Sequence, residues 1–394
     1  MDPKIYLAID NCFAIKRWIT PIDWSNVVRK IGLKYVECVT DNELDPLLMD
    51  GEYLKDWVGE VQRAEQQTGV KVIFLYTGNG TYDTTGLAHP DERVRKHILD
   101  KWFQGLLAMG ARLEVGVGYF VHAFNEHILQ DKDLYFKYTG IVEDSLVALN
   151  LRAKKLGCPQ VAIEQMYSPH QIPFTIENTK RFMREVGQRS GMPLYFTEDV
   201  AHHQPKFIRP TVERIQGAFQ RYLQDGYIEI WLGSPKAYDI FEKAAPLRDQ
   251  LKESDLDRIM KDMDDNPHLF AEKRDADCYE WLAEMGCYSP VIHLQQTDGT
   301  FSAHKPFTDE SNQDGIIKPA QILKALAKSY EKPLENDLPK QCEDIYLTFE
   351  FYAKTDSINQ QIIYDYQRSV EYWRKYVPED GMRLSELVAA LSRS

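Results

Sequence analysis

Eight short runs rich in β-branched and aromatic residues alternate along the chain with longer stretches of helical periodicity, and this alternation restricts the folds open to it. The strand-like runs are 4–10, 35–39, 71–77, 113–118, 161–166, 194–200, 290–296 and 345–351. Helical spacing of apolar residues fills 22–31, 53–67, 91–109, 132–156, 176–188 and 319–329, and 359–376 follows the last run. Strands separated in this way predict βαβ units and a parallel sheet. Eight units predict a (β/α)8 TIM barrel, a fold of ~250 residues that accepts insertions to beyond ~400. The rhythm breaks after His203: residues 205–280 carry three helical patterns (211–224, 234–243, 247–263) and one strand-like run, 227–232. The expectation is a single TIM-barrel domain over 1–394, with 205–280 as a mostly helical insertion between strands six and seven. A doubly wound open sheet is the rival, but it favours a glycine-rich turn after the first strand. Residues 10–18 contain no glycine.

Charge and cysteine usage narrow the function. The net charge is −13, with no basic run, which argues against a partner bound through nucleic-acid phosphates. Six scattered cysteines without a CxxC pair read as reduced thiols. No stretch approaches the roughly 18–20 apolar residues of a membrane span. The first residues lack the pattern of a signal peptide. The expected location is cytoplasmic, with no membrane partner.

Four chemically matched residues end the last four strand runs: Glu164, Asp199, His293 and Glu350. Each alone has an ordinary reading, a solvent-facing strand end or a satisfied core histidine. Their recurrence on strands five to eight favours one shared site, at the strand ends where barrels place their chemistry. Three carboxylates and one imidazole suit a divalent cation of intermediate hardness. Two glutamates beside such an ion can both stay ionised. A sugar chelating the ion through adjacent hydroxyl and carbonyl oxygens becomes acidic at its α-carbon. One glutamate then removes the proton and the other returns it, giving epimerisation or, on the neighbouring carbon, aldose–ketose isomerisation through an enediolate.

Glu164, Asp199 with His202 three residues on, His293 and Glu350 together resemble the xylose isomerase-like barrels. That group includes ketose 3-epimerases, sugar-phosphate isomerases and, more distantly, endonuclease IV. The resemblance implies one divalent metal held by Glu164, Asp199, His293 and Glu350, with the two glutamates as the acid/base pair. Mn2+ is the first expectation, with Mg2+, Co2+ or Zn2+ as alternatives. The segment 297–307, carrying His304, looks like the part that closes over the sugar in relatives. His202 and His304 are therefore expected to bind substrate, together with Glu37 at the end of the second strand. Asn11, Lys16 and Arg17 after the first strand are candidates for a terminal phosphate, or else an ordinary basic turn. Phe13, Trp18, Tyr119 and Phe120 either wall the pocket or pack in the core; His122 and His127 are loop histidines. The 205–280 insertion departs from the small epimerases. Two other enzyme readings remain: a metal-dependent lyase or deglycosylase acting on an oxidised sugar, and an endonuclease IV-like nuclease. The second needs more histidines and a basic face. The aromatic terminal helix around 364–376 is a candidate homo-oligomer surface, and packing on its own barrel explains it equally.

Overall fold

Residues 1–203, 205–247 and 249–392 are described by the computed structural model. The eight strands are β1 (Lys4–Asp10), β2 (Tyr35–Val39), β3 (Lys71–Tyr76), β4 (Gly116–Tyr119), β5 (Val161–Glu164), β6 (Tyr195–Asp199), β7 (Val291–Leu294) and β8 (Asp344–Phe349). They pair in parallel in sequence order, and β1 joins both β8 and β2, the latter through Ile9↔Val36 and Asp10↔Glu37. The sheet is therefore a closed (β/α)8 barrel. A ninth strand, β9 (Met382–Arg383), lies antiparallel against the start of β1.

Strands buried on both faces require near-continuous apolar sequence, and period-two alternation then sorts them. Ile5, Leu7, Ile9, Ile345, Leu347 and Phe349 face the surrounding helices in the main core. Their neighbours fill the barrel. Tyr6, Tyr35 and Tyr346 form an aromatic floor, with ring centroids 5.0–5.5 Å apart. Phe74, Tyr76, Ala162 and Val291 pack above it. Gly116 and Gly118 on β4 admit two of those rings, since a Cβ at either position would run into Phe74 or Tyr76. The same parity aims the last inward residue of each strand at the barrel mouth.

Helix ends follow local chemistry. The side chains of Thr20, Asp50, Asp131 and Thr175 accept hydrogen bonds from first-turn amides. Gly32, Gly69, Gly157 and Gly191 end the same helices in the left-handed conformation.

Two local expectations are corrected. The helix expected to stop at Gly110 continues to Leu113 and ends at Glu114 (φ 58°), so β4 begins at 116 rather than 113. Gly110 is there because Val117 packs where its Cβ would lie. The run 227–232 is not a strand. With the barrel closed it has no free edge to join, and it is held instead by Trp231 Nε1 donating to the Leu269 carbonyl and by Tyr238 OH accepting from Leu232 N.

Between β6 and β7 lie the helices Val212–Asp225, Pro235–Ala244 and Glu253–Asp265, whose shared core includes the edge-to-face pair Phe219 and Phe241 (5.1 Å). Cys278–Met285 then packs against Pro319–Glu331 in the outer helical layer. The helix Asn359–Arg374 is not the last of the chain, since Leu384–Leu391 follows it; its Tyr366 and Trp373 are buried and its Tyr364 is exposed. All six cysteines are free and buried. Among the described residues no helix is long and apolar enough to cross a membrane.

Gly118→Ala tests the interior packing. Forcing the Tyr76 ring to move is expected to cost about 1–3 kcal/mol, read as a lower midpoint in urea with an unchanged slope.

Candidate functional site

The last inward positions of β1, β5, β6 and β7, the inward position of β2 before Val39, and the residue just past β8 are Asp10, Glu164, Asp199, His293, Glu37 and Glu350. All are at most 2% exposed. Five carboxylates and one imidazole thus share a space almost without water. Acids are seldom buried unless paired, so their partners decide what the site is.

His293 organises the cluster. Its Nε2 donates to both oxygens of Glu37, 3.2 Å each. That bond fixes the tautomer, leaving the Nδ1 lone pair 3.6 Å from Glu164 Oε1 and 3.4 Å from Glu350 Oε2. On the other side His202 donates from Nδ1 to the Gln165 carbonyl (2.8 Å). Its Nε2 lone pair lies 3.4 Å from Asp199 Oδ2. Asp199 Oδ1 is engaged by the Ala201 amide (2.7 Å) and by Gln295 Nε2. Glu350 Oε1 accepts from Tyr352 OH at 2.8 Å. What remains is a convergent set of buried atoms without a hydrogen-bond partner among the described residues: both oxygens of Glu164, Asp199 Oδ2, His293 Nδ1 and Glu350 Oε2.

Electrostatics describe the same unmet demand. Burial pushes the Glu164 carboxyl up to about 8, with Glu350 and Asp199 adding to it and His293 opposing. Burial likewise raises Glu37, against the pull of His293, and raises Asp10, which also faces Glu37 and Glu350. Burial disfavours the charged form of Asp199, but His202, His304 and His293 bring it below the usual carboxylate range. Burial opposes a proton on His293, yet Glu350, Glu37 and Glu164 hold its pKa well above the ordinary value, so the Nδ1 that faces Glu164 and Glu350 calls for a proton or for a cation in its place. Acceptor atoms facing one another 3.4–3.6 Å apart need positive charge between them. A tetrahedral shell of ~2.1 Å bonds sets its donors at a comparable spacing, ~3.4 Å. Glu164, Asp199 and His293 bring one donor atom each within 4.8 Å of one another, as do Asp199, His202 and His304, and Asp10, Glu37 and His293. The donors fit a divalent cation.

Above these groups opens a cavity of about 230 Å3, lined by Glu164, Glu350, His202, His304, Tyr167 and Tyr352 among others. Tyr167 lies against the His202 ring (4.7 Å) and its hydroxyl meets that of Tyr82. His304 hangs from the loop after β7 at φ 42°, a left-handed conformation unusual for histidine, with Nδ1 3.5 Å from Glu350 Oε2.

The expected residues divide. Glu164, Asp199 and His293 converge within 4.8 Å, while Glu350 Oε2 reaches His293 Nδ1 at 3.4 Å and His304 Nδ1 at 3.5 Å, with His202 beside them. Glu37 is present too, but it holds His293 from below rather than facing the open cavity. Asn11 accepts from the Val39 amide (2.9 Å) and ties β1 to β2. Lys16 is exposed. Arg17 is bound to the carbonyls of Lys354, Thr355 and Ser357 and to Asn359 Oδ1, and so does not join the cluster. His122 is buried and accepts from the Ile172 amide, His127 is exposed, Tyr119 packs in the core, and Phe120 lines the cavity. Sequence reasoning missed Asp10, although it ends β1 in the same pattern as the others. Gln295, Tyr167 and Tyr352 lie beyond strand ends, where residue type alone gave no signal.

No family model matches the chain. A curated relative is the D-erythrulose 1-phosphate 3-epimerase of Brucella abortus, 29% identical over 119 residues, which are 30% of this chain and 35% of that protein. The match thus spans about a third of that relative's length. A protein of Rhodospirillum rubrum assigned as a xylose isomerase superposes with a TM-score of 0.67 at 17% identity, covering 94% of this chain and 99% of that one. D-psicose 3-epimerase of Clostridium cellulolyticum, solved with D-tagatose, gives 0.52 at 12% identity, with 94% and 98% covered. These likenesses are of fold, the closed (β/α)8 barrel that the strand pairing shows.

If the convergent donors hold a cation, Mn2+ at a hundredfold above its dissociation constant raises stability by about 2.7 kcal/mol. Thermal unfolding with and without EDTA measures this, and an unmoved midpoint refutes it. Glu37→Gln is expected to weaken Mn2+ binding by about 10–100-fold, by calorimetry, through loss of the carboxylate that orients His293.

Proposed function

We propose that the protein is a divalent-metal-dependent sugar isomerase or epimerase that moves a proton on a carbon next to a carbonyl, with Glu164 and Glu350 as the acid/base pair. One observation carries this reading: two buried glutamates from β5 and from just past β8 reach His293 Nδ1 with unpartnered oxygens, at the floor of a sugar-sized cavity. The epimerase relative and the epimerase fold neighbour support the same reaction class.

Glu164, Asp199, His293 and Glu350 would hold the cation, with Mn2+ first and Mg2+, Co2+ or Zn2+ as alternatives. When bound, it would supply Lewis-acid polarisation of a substrate carbonyl and favour the ionised form of the glutamate that acts as base.

The remaining work falls to the chain's own groups. A general base must be ionised at the working pH, and burial together with Glu350 and Asp199, even against His293, pushes the Glu164 carboxyl up to about 8 and leaves it largely protonated near neutrality. Positive charge beside it restores the carboxylate, which then takes the α-proton and leaves an enediolate. Glu350, entering the cycle protonated on the oxygen that Tyr352 leaves free, gives its proton to the opposite face in an epimerase; in an isomerase the abstracted proton is returned to the adjacent carbon while a hydroxyl proton moves to the former carbonyl oxygen. Tyr352 holds one Glu350 oxygen and leaves the other free. The His202 Nε2 lone pair is set to accept from a substrate hydroxyl, because Nδ1 is committed to Gln165. Tyr82, Tyr167 and Phe120 restrict the entry of water.

Glu164→Gln and Glu350→Gln are each expected to slow exchange of the substrate α-proton with D2O by about 10²–10⁴-fold. Wild-type exchange in either variant removes that residue from proton transfer.

A further inference from the structure

Beside the cavity that holds Glu164 and Glu350 lies a second of equal volume, about 230 Å3. It is bounded by Pro306, the chain leaving β8 and the first turns of the helix Asn359–Arg374. His304 and Tyr352 line both chambers. Their rings meet edge to face, 5.2 Å between centroids and 74° between planes. The partition is one ring pair thick, and Tyr352 on it also bonds Glu350 (2.8 Å).

The two chambers differ in chemistry. The first is polar, with carboxylates and imidazoles. The second is walled mainly by Pro306, Phe351, Ala353, Ile358 and Ile362. Among the described residues neither is lined by lysine or arginine, the side chains that suit a phosphate. Arg17 is consumed in fixing residues 354–357, which continue into the Ile358 wall. The amide end of the helix Asn359–Arg374 borders the second chamber and favours an anion. The Asp365 carboxylate lines the same chamber and opposes one.

Resting on the sugar isomerase or epimerase reading above, we propose that the substrate is an uncharged sugar bearing an apolar substituent. The reacting carbons occupy the first chamber, and the substituent passes the His304–Tyr352 pair into the second. Such a substrate has enough apolar surface to favour the second chamber, which free ketoses and ketose phosphates lack.

The test compares D-fructose and D-tagatose, their 6-phosphates, and their 1-O-benzyl and 6-O-benzyl ethers. Solvent-deuterium exchange is followed by mass spectrometry, and binding by calorimetry, on the Mn2+-loaded full chain. At least one benzyl ether is expected to show a KM about tenfold or more below its parent ketose, with the phosphates no better than the parents. Ile358→Glu, on an exposed residue whose replacement leaves the core intact, is expected to bring the ether-to-parent KM ratio close to one. Ethers no better than parents, phosphates outperforming both, or an unchanged ratio in Ile358→Glu each overturn the proposal while leaving proton transfer standing. If no compound exchanges, the isomerase reading fails, and calorimetry still decides the second chamber. Equal affinity of wild type and Ile358→Glu for the benzyl ethers then overturns it.

Discussion

The bond between His293 and Glu37 joins strands that lie three steps apart around the barrel, and the arrangement of the site depends on it. The bond sets which imidazole nitrogen carries a proton and so which one faces Glu164 and Glu350. Without it, Glu164 and Glu37 would lose the imidazole that opposes the push of burial toward their neutral forms. With it, repulsion among the carboxylates becomes a concentrated demand for one positive charge at a defined point. Closure of the sheet makes this possible, because Asp10 and Glu37 are paired neighbours on β1 and β2.

Specificity and chemistry rest on different parts of the molecule. The buried carboxylates and the His293 imidazole sit on barrel strands or just past one, where period-two alternation and helical packing fix their positions. Groups that shape the cavity come from loops: His304 after β7, Tyr352 after β8, Tyr167 after β5 and Tyr82 after β3. The left-handed backbone at His304 shows that the loop after β7 accepts local strain in holding its ring against Tyr352. Rigid elements support the reaction, and adaptable ones decide what reaches it.

The barrel was legible in the sequence because buried parallel strands require apolar runs that few other structures tolerate, and all eight were found. The four clustered residues were legible for a related reason, since a charged group ending such a run needs a partner. Strand four was misplaced because its inward positions are glycines, which carry no hydrophobic signal; their purpose is space for Phe74 and Tyr76. The run 227–232 has strand-like composition, but a closed barrel gives it nothing to pair with. Arg17 shows another limit. Residue type suggested anion capture, and only the fold reveals that the loop after β8 supplies enough carbonyl oxygens to occupy the guanidinium. Asp10 was readable by the same rule as Glu164 and passed unnoticed only because it was not compared with the other strand ends.

The six buried thiols give the chain a built-in record of its own breathing. A thiol sealed in apolar surroundings resists alkylation until the structure around it opens. Cys12 and Cys38 report on the junction of β1 and β2, Cys158 on the approach to β5, and Cys278, Cys287 and Cys342 on the sector carrying β7 and β8. The order in which they become reactive maps which sector of the barrel separates first. Cys12, whose amide bonds Asp10 and whose Sγ meets the Phe351 carbonyl, registers the loosening of the reaction centre itself.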